Sequence, residues 1–130
     1  MYTELHTTIR EMMICVEIIL EFEVLDARQK DTAQQIHHWA SFLSNLCEKI
    51  SQLSGKRTKI LSYYRTMDAP LQRIIEYTDS LLSAKLEPLT LNQEYSFQRI
   101  NKMANKAVTL AQEKITELSK TKTSDMPSTK

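Results

Sequence analysis

A single glycine, Gly55, and three prolines serve 130 residues. Sheet folds place glycine and proline in the turns between strands, so this scarcity excludes a β-sandwich or barrel. It also excludes a glycine-rich phosphate loop. The only cysteines, Cys15 and Cys47, fall inside apolar helical patterns and read as small core residues rather than a disulfide framework. Neither sign of charge dominates. The net charge of +1 offers no general field to nucleic acid or an anionic membrane. No apolar run is long enough to span a bilayer. The N-terminus has no basic region ahead of an apolar one, so no signal peptide is expected and the expected location is intracellular.

What is present is the composition of helices: Leu, Ile, Met, Ala, Lys, Glu and Gln. The chain has the length of one domain, expected over residues 1–120, with a core that needs no disulfide or metal staple. Charge is unevenly spread. Residues 1–54 hold four basic and eight acidic residues, a balance of −4, and residues 55–130 hold thirteen and eight, a balance of +5. Such asymmetry can steer a partner.

The most informative segment is 12–25, where eleven of fourteen residues are apolar and only Glu17, Glu21 and Glu23 interrupt. A helix apolar nearly all round must be covered on nearly all sides, by its own fold or by another chain. The first helix is expected from about Thr3 to Asp26. Leu5, Ile9, Met12, Val16 and Ile19 recur at spacings of four and three and form its main stripe. Ile14, Ile18, Phe22 and Leu25 occupy a further face. Residues 20–24 alternate like a strand, but no partner strand exists for them.

A turn is expected at 26–31, with Asp31 and Gln34 forming a capping box for a second helix over 32–53. Its seam of Ile36, Trp39, Leu43, Leu46, Ile50 and Leu53 is a strict heptad, the pattern of shallow-angle helix packing. Gly55 is expected to end it at C′. A third helix begins near Lys56, is interrupted by Pro70 with Asp68 as a fresh cap, and closes at Pro88 after Leu86. A fourth starts after Thr90 or Asn92, with Thr90 and Gln93 as a capping box and Leu89 as a staple. Its stripe is Phe97, Ile100, Ala104, Ala107, Val108, Ala111, Ile115 and Leu118. Residues 121–130 have no apolar period and are expected to be a disordered tail. The expected fold is all-α: an antiparallel up-down-up-down four-helix bundle with coiled-coil-like packing and a third helix kinked at Pro70.

Helical bundles can host metals and catalysis. The Glu-x-x-His pair of di-iron bundles does not occur in this chain. His6, His37 and His38 have no carboxylate at ligand spacing on their own helices, and a phosphotransfer lysine is missing beside His37. The best acidic constellation is Glu17 and Glu21 on the first helix with Glu76 and Asp79 on the third, which facing helices would aim at Mg²⁺. Glu76-Tyr-Thr-Asp79 resembles the second half of the Glu-x-x-Glu, Glu-x-x-Asp pattern of the helical nucleotide pyrophosphohydrolases. Glu17 and Glu21 are one residue too far apart for the first half. The resemblance implies a Mg²⁺-dependent nucleotide hydrolase as one alternative.

Lys56, Arg57 and Lys59, with Arg65, Tyr63 and Tyr64 nearby, form the only basic cluster with aromatics. They make RNA or an anionic surface the other alternative. The leading expectation is a non-enzymatic interaction module, an adaptor or subunit of a larger assembly. It would have no cofactor, metal or small-molecule substrate. It would bind a protein partner, or a second copy of itself, through Ile14, Ile18, Phe22 and Leu25.

Overall fold

Five helices build the protein: α1 (Glu4–Phe22), α2 (Ala27–Gln52), α3 (Arg57–Thr66), α4 (Asp68–Ser83) and α5 (Leu91–Asp125). The structure is a computed structural model that describes residues 3–53, 55–83 and 88–125. Among these residues there is no strand. Helix α1 packs on α2 and α5, and α4 packs on the same two helices. Helix α3 lies mainly against α5. With α3 and α4 in place of the expected third helix, four packed helices surround one core.

The buried stripes follow the sequence period closely in α1 and in part elsewhere: Trp39 and Leu53 of the expected α2 seam, and Val108, Ile115 and Leu118 of the expected last stripe, are half-buried. In α1, Leu5, Ile9, Met12, Val16 and Ile19 are fully buried. In α2, Ile36, Leu43, Leu46 and Ile50 are buried. Ala33, Ala40 and Cys47 join them and centre the seam, while Trp39 is only half-buried at its edge. In α5, Phe97, Ile100, Ala104, Ala107 and Ala111 line the core. A methyl side chain at three of these five positions permits close approach of neighbouring helices.

The caps explain where the helices begin. Thr3 accepts a hydrogen bond from the His6 N–H at 3.3 Å and starts α1. Thr90 and Gln93 form the expected box at α5, through Gln93 N to Thr90 Oγ1 at 3.1 Å and Thr90 N to Gln93 Oε1 at 3.0 Å. Leu89 packs against the core beside them.

The start of α2 differs from expectation. Asp26, not Asp31, is its N-cap. The Gln29 N–H donates to Asp26 Oδ1 at 2.8 Å, and Asp26 N donates to Gln29 Oε1 at 3.1 Å. Residues 27–31 are therefore helical, and the connection from α1 is only residues 23–26. Asp26→Ala should cost about 1 kcal/mol of stability in denaturant titration, while Asp31→Ala changes it by less than about 0.5 kcal/mol. Equal effects would contradict the position of the cap.

Two further boundaries are corrected. Leu53 is the C-cap of α2, so Gly55 stands one place beyond C′. It adopts φ 73°, a left-handed turn that glycine tolerates without a Cβ clash. The third helix breaks at Met67 rather than at Pro70, and Asp68 lies inside α4 instead of capping it. Pro70 has no N–H to give to the carbonyl of Thr66, four residues back, and the ladder stops there. The Met67 N–H tightens onto Tyr64 O at 3.2 Å, and the ladder resumes with Leu71 N to Met67 O at 3.1 Å. Met67 itself is fully buried and pins the junction to the core.

At the C-terminus, α5 continues through residues 121–125, into the stretch read as tail. Residues 126–130, like Leu86, lie outside the described residues.

Candidate protein-docking surface

The apolar first helix divides into two faces. Opposite its buried stripe, Ile14, Ile18 and Phe22 are exposed, Ile18 by 51% and Phe22 by 71% of their surface. Three of the four residues assigned to the partner face are therefore open. The fourth is not: Leu25 is half-buried and packs against the core. Helix α1 ends at Phe22, so a helical phase extended to residue 25 no longer holds.

Tertiary packing enlarges this face with residues that sequence reasoning missed. Glu23 accepts a hydrogen bond from Asn92 Nδ2 at 2.7 Å, and Val24 O accepts one from Gln93 Nε2 at 2.9 Å. Further along, Cys15 Sγ reaches Ser96 O at 3.8 Å. These contacts set the end of α1 beside the first turns of α5. On these adjoining segments Val24, Leu91 and Tyr95 are exposed by 92%, 86% and 61%. A signal for Leu91 and Tyr95 was present, since both are out of phase with the buried Phe97–Ile100–Ala104 stripe. What joins them to Phe22 is the fold alone. The polar flank toward α2 carries Glu17, whose Oε2 lies 3.0 Å from His37 Nε2 in an exposed pair. Exposed pairs of this kind contribute about 1 kcal/mol at most.

The acidic constellation is not assembled. Helices α1 and α4 are not adjacent: α2 and α5 each pack on both. Glu17 is engaged with His37, Glu76 lies 3.6 Å from Arg73 on its own helix, and Asp79 accepts from Asn101 Nδ2 at 2.9 Å. Among the described residues no three His, Cys, Asp or Glu side chains gather as a metal site.

The basic cluster also lacks the geometry assigned to it. Lys56 and Lys59 are exposed and Arg57 is half-buried at the start of α3. Tyr64, however, is buried in the core, so its ring offers no face for a base to stack on, and Tyr63 is half-buried against the core. Burial also raises the Tyr64 hydroxyl pKa.

Nucleophile chemistry finds no support. Cys15 and Cys47 are free thiols. Burial pushes Cys47 up to about 12, with Glu48 adding to the shift, and burial likewise raises Cys15. His6 shares with Cys47 a cavity of about 50 Å³ between α1 and α2. Burial lowers the His6 pKa against the opposing pull of Glu48. Both shifts work against an imidazole-activated thiolate at this place. Among the described residues no helix is long and apolar enough to cross a membrane. No family model, curated protein or solved structure matches this chain.

Proposed function

We propose that the protein is a non-enzymatic helical interaction module, a small adaptor or subunit that docks a protein partner on the exposed face of α1. The observation that carries this reading is the apolar corner of Ile14, Ile18, Phe22, Val24, Leu91 and Tyr95. Isolated exposed apolar residues are ordinary, but a contiguous group on a well-packed domain marks an interaction surface. Burying each large side chain contributes roughly 1.5–3 kcal/mol before association costs.

In this reading residues 1–120 act as one unit that works inside the cell. The helices run up-down-up-down, with a bend near Pro70. Support for the antiparallel path comes from contacts whose numbers run in opposite directions. Glu17 meets His37 while Met13 meets Ser41, and Glu23 meets Asn92 while Glu4 meets Lys106.

Phe22→Glu tests the reading. Tagged wild type and variant are recovered from native cells in parallel, and co-purifying proteins are quantified. A protein present in stoichiometric amount with wild type should fall at least about tenfold with the variant, as loss of one or two kcal/mol or more at a central apolar contact requires. The variant should retain wild-type helicity. Unchanged recovery of every co-purifying protein, or global unfolding of the variant, would contradict the proposal.

A further inference from the structure

We infer that the occupant of the α1–α5 corner is a helix of another protein whose apolar stripe is flanked by lysine and arginine. This rests on the docking reading above and adds the chemistry of the partner. The corner is built from two segments, residues 14–26 and 88–98. Between them they carry five carboxylates, Glu17, Glu21, Glu23, Asp26 and Glu94, and no lysine or arginine. The last turn of α1 also holds no basic residue to offset its carbonyl end. The hydrogen bonds given to Glu23 by Asn92 and to Asp26 by Gln29 come from neutral donors. Arginines stand only at the margins of the corner: Arg10 four residues before Ile14, Arg28 two after Asp26, and Arg99 four after Tyr95, where its charge acts on the Cys15 thiol; the carboxylates outnumber them. An apolar patch with such a rim selects for positive charge around a complementary apolar stripe.

The rim also argues against the other occupants. A symmetric pair of copies would set the same five carboxylates against each other. A head-to-tail pair would bring the basic cluster of Lys56, Arg57 and Lys59 to the corner from the far end of α2, about 39 Å away along a 26-residue helix. That end presents no apolar stripe, because Leu61 and Tyr64 are buried and Ile60 packs against the core. An anionic lipid surface is repelled by the same rim.

The test uses the full chain and two synthetic helical peptides of roughly 18 residues. Both carry leucine at i, i+3, i+4 and i+7. One has lysine on the flanks and the other glutamate. Binding is read by fluorescence anisotropy at about 0.05 M and 0.5 M salt, where screening lengths differ several-fold. The lysine peptide should bind about tenfold or more tightly than the glutamate peptide at low salt, and the advantage should shrink at high salt. Phe22→Glu should abolish binding of the lysine peptide even though it adds a negative charge. The triple variant Glu21→Lys, Glu23→Lys, Glu94→Lys, checked for wild-type helicity, should invert the preference.

Equal affinity for the two peptides, with both lost in Phe22→Glu, would overturn the basic partner while leaving the docking face standing. Lysine-peptide binding that survives Phe22→Glu would be diffuse charge attraction and would overturn both. Failure of either peptide to bind, with the chain dimeric by light scattering, would assign the corner to a second copy and overturn the inference. Failure with a monomeric chain would overturn it as well.

Discussion

Phe97→Ala should destabilise the fold by about 3–5 kcal/mol and lower the melting temperature by roughly 10–20 °C. Phe97 is fully buried and is the largest of the fully buried side chains among the described residues. It stands on α5, which packs on α1, α3 and α4, so its ring fills space that no single neighbour can recover. Beyond the fully buried Ile100, the next positions of its stripe, Ala104 and Ala107, are only methyl side chains. The loss therefore combines the transfer free energy of the ring with the cost of an unfilled cavity. Against a net stability of about 5–15 kcal/mol for a domain of this kind, that is a large fraction. Calorimetry or a guanidinium titration reads it directly. A loss below about 1 kcal/mol would mean that α5 is not packed as described.

Met12→Glu should abolish the fold altogether. Met12 is completely buried in the α1 stripe between Ile9 and Val16. A carboxylate there loses its hydration without gaining a partner, at an effective cost of several kcal/mol even after relaxation. The thioether packing is lost as well. Circular dichroism at neutral pH should show a largely unfolded chain. Retained helicity would place Met12 at solvent and reverse the orientation of α1.

The two faces of α1 show how much of this protein is legible in its sequence. The buried stripe follows from spacing alone, because a 3.6-residue period fixes which side chains share a face. The same holds for the capping box at Thr90 and the alanine-rich stripe of α5. Which apolar face is core and which is bare cannot be read from α1 alone, since both are strongly apolar. That choice belongs to α2 and α5, which cover one side and leave the other. The start of α2 was placed too late for a local reason. Asp26-x-x-Gln29 and Asp31-x-x-Gln34 are equivalent capping boxes, and the one that forms depends on α1 stopping at Phe22. Leu25 was misplaced by the same stop.

At the candidate surface, Ile14, Ile18 and Phe22 were legible as a second apolar face. Leu91 and Tyr95 were not, because they stand 69 and 73 positions after Phe22 and only the fold brings their segment to the end of α1. The four acids show the reverse error. Glu17, Glu21, Glu76 and Asp79 suit one another in type and spacing, yet α1 and α4 are not adjacent. Their chemistry was visible in sequence, and the separation of their helices was not.

The central claim is that α1 presents one covered face and one open apolar face. Thermal unfolding of Phe22→Glu beside Met12→Glu, followed by circular dichroism, tests it most directly. The account predicts that Phe22→Glu keeps wild-type helicity and melts within a few degrees of wild type, as surface substitutions worth about 0.5 kcal/mol do. In the same experiment Met12→Glu should show no cooperative transition. Collapse of both variants would show that α1 is buried all round and would remove the docking surface from the protein.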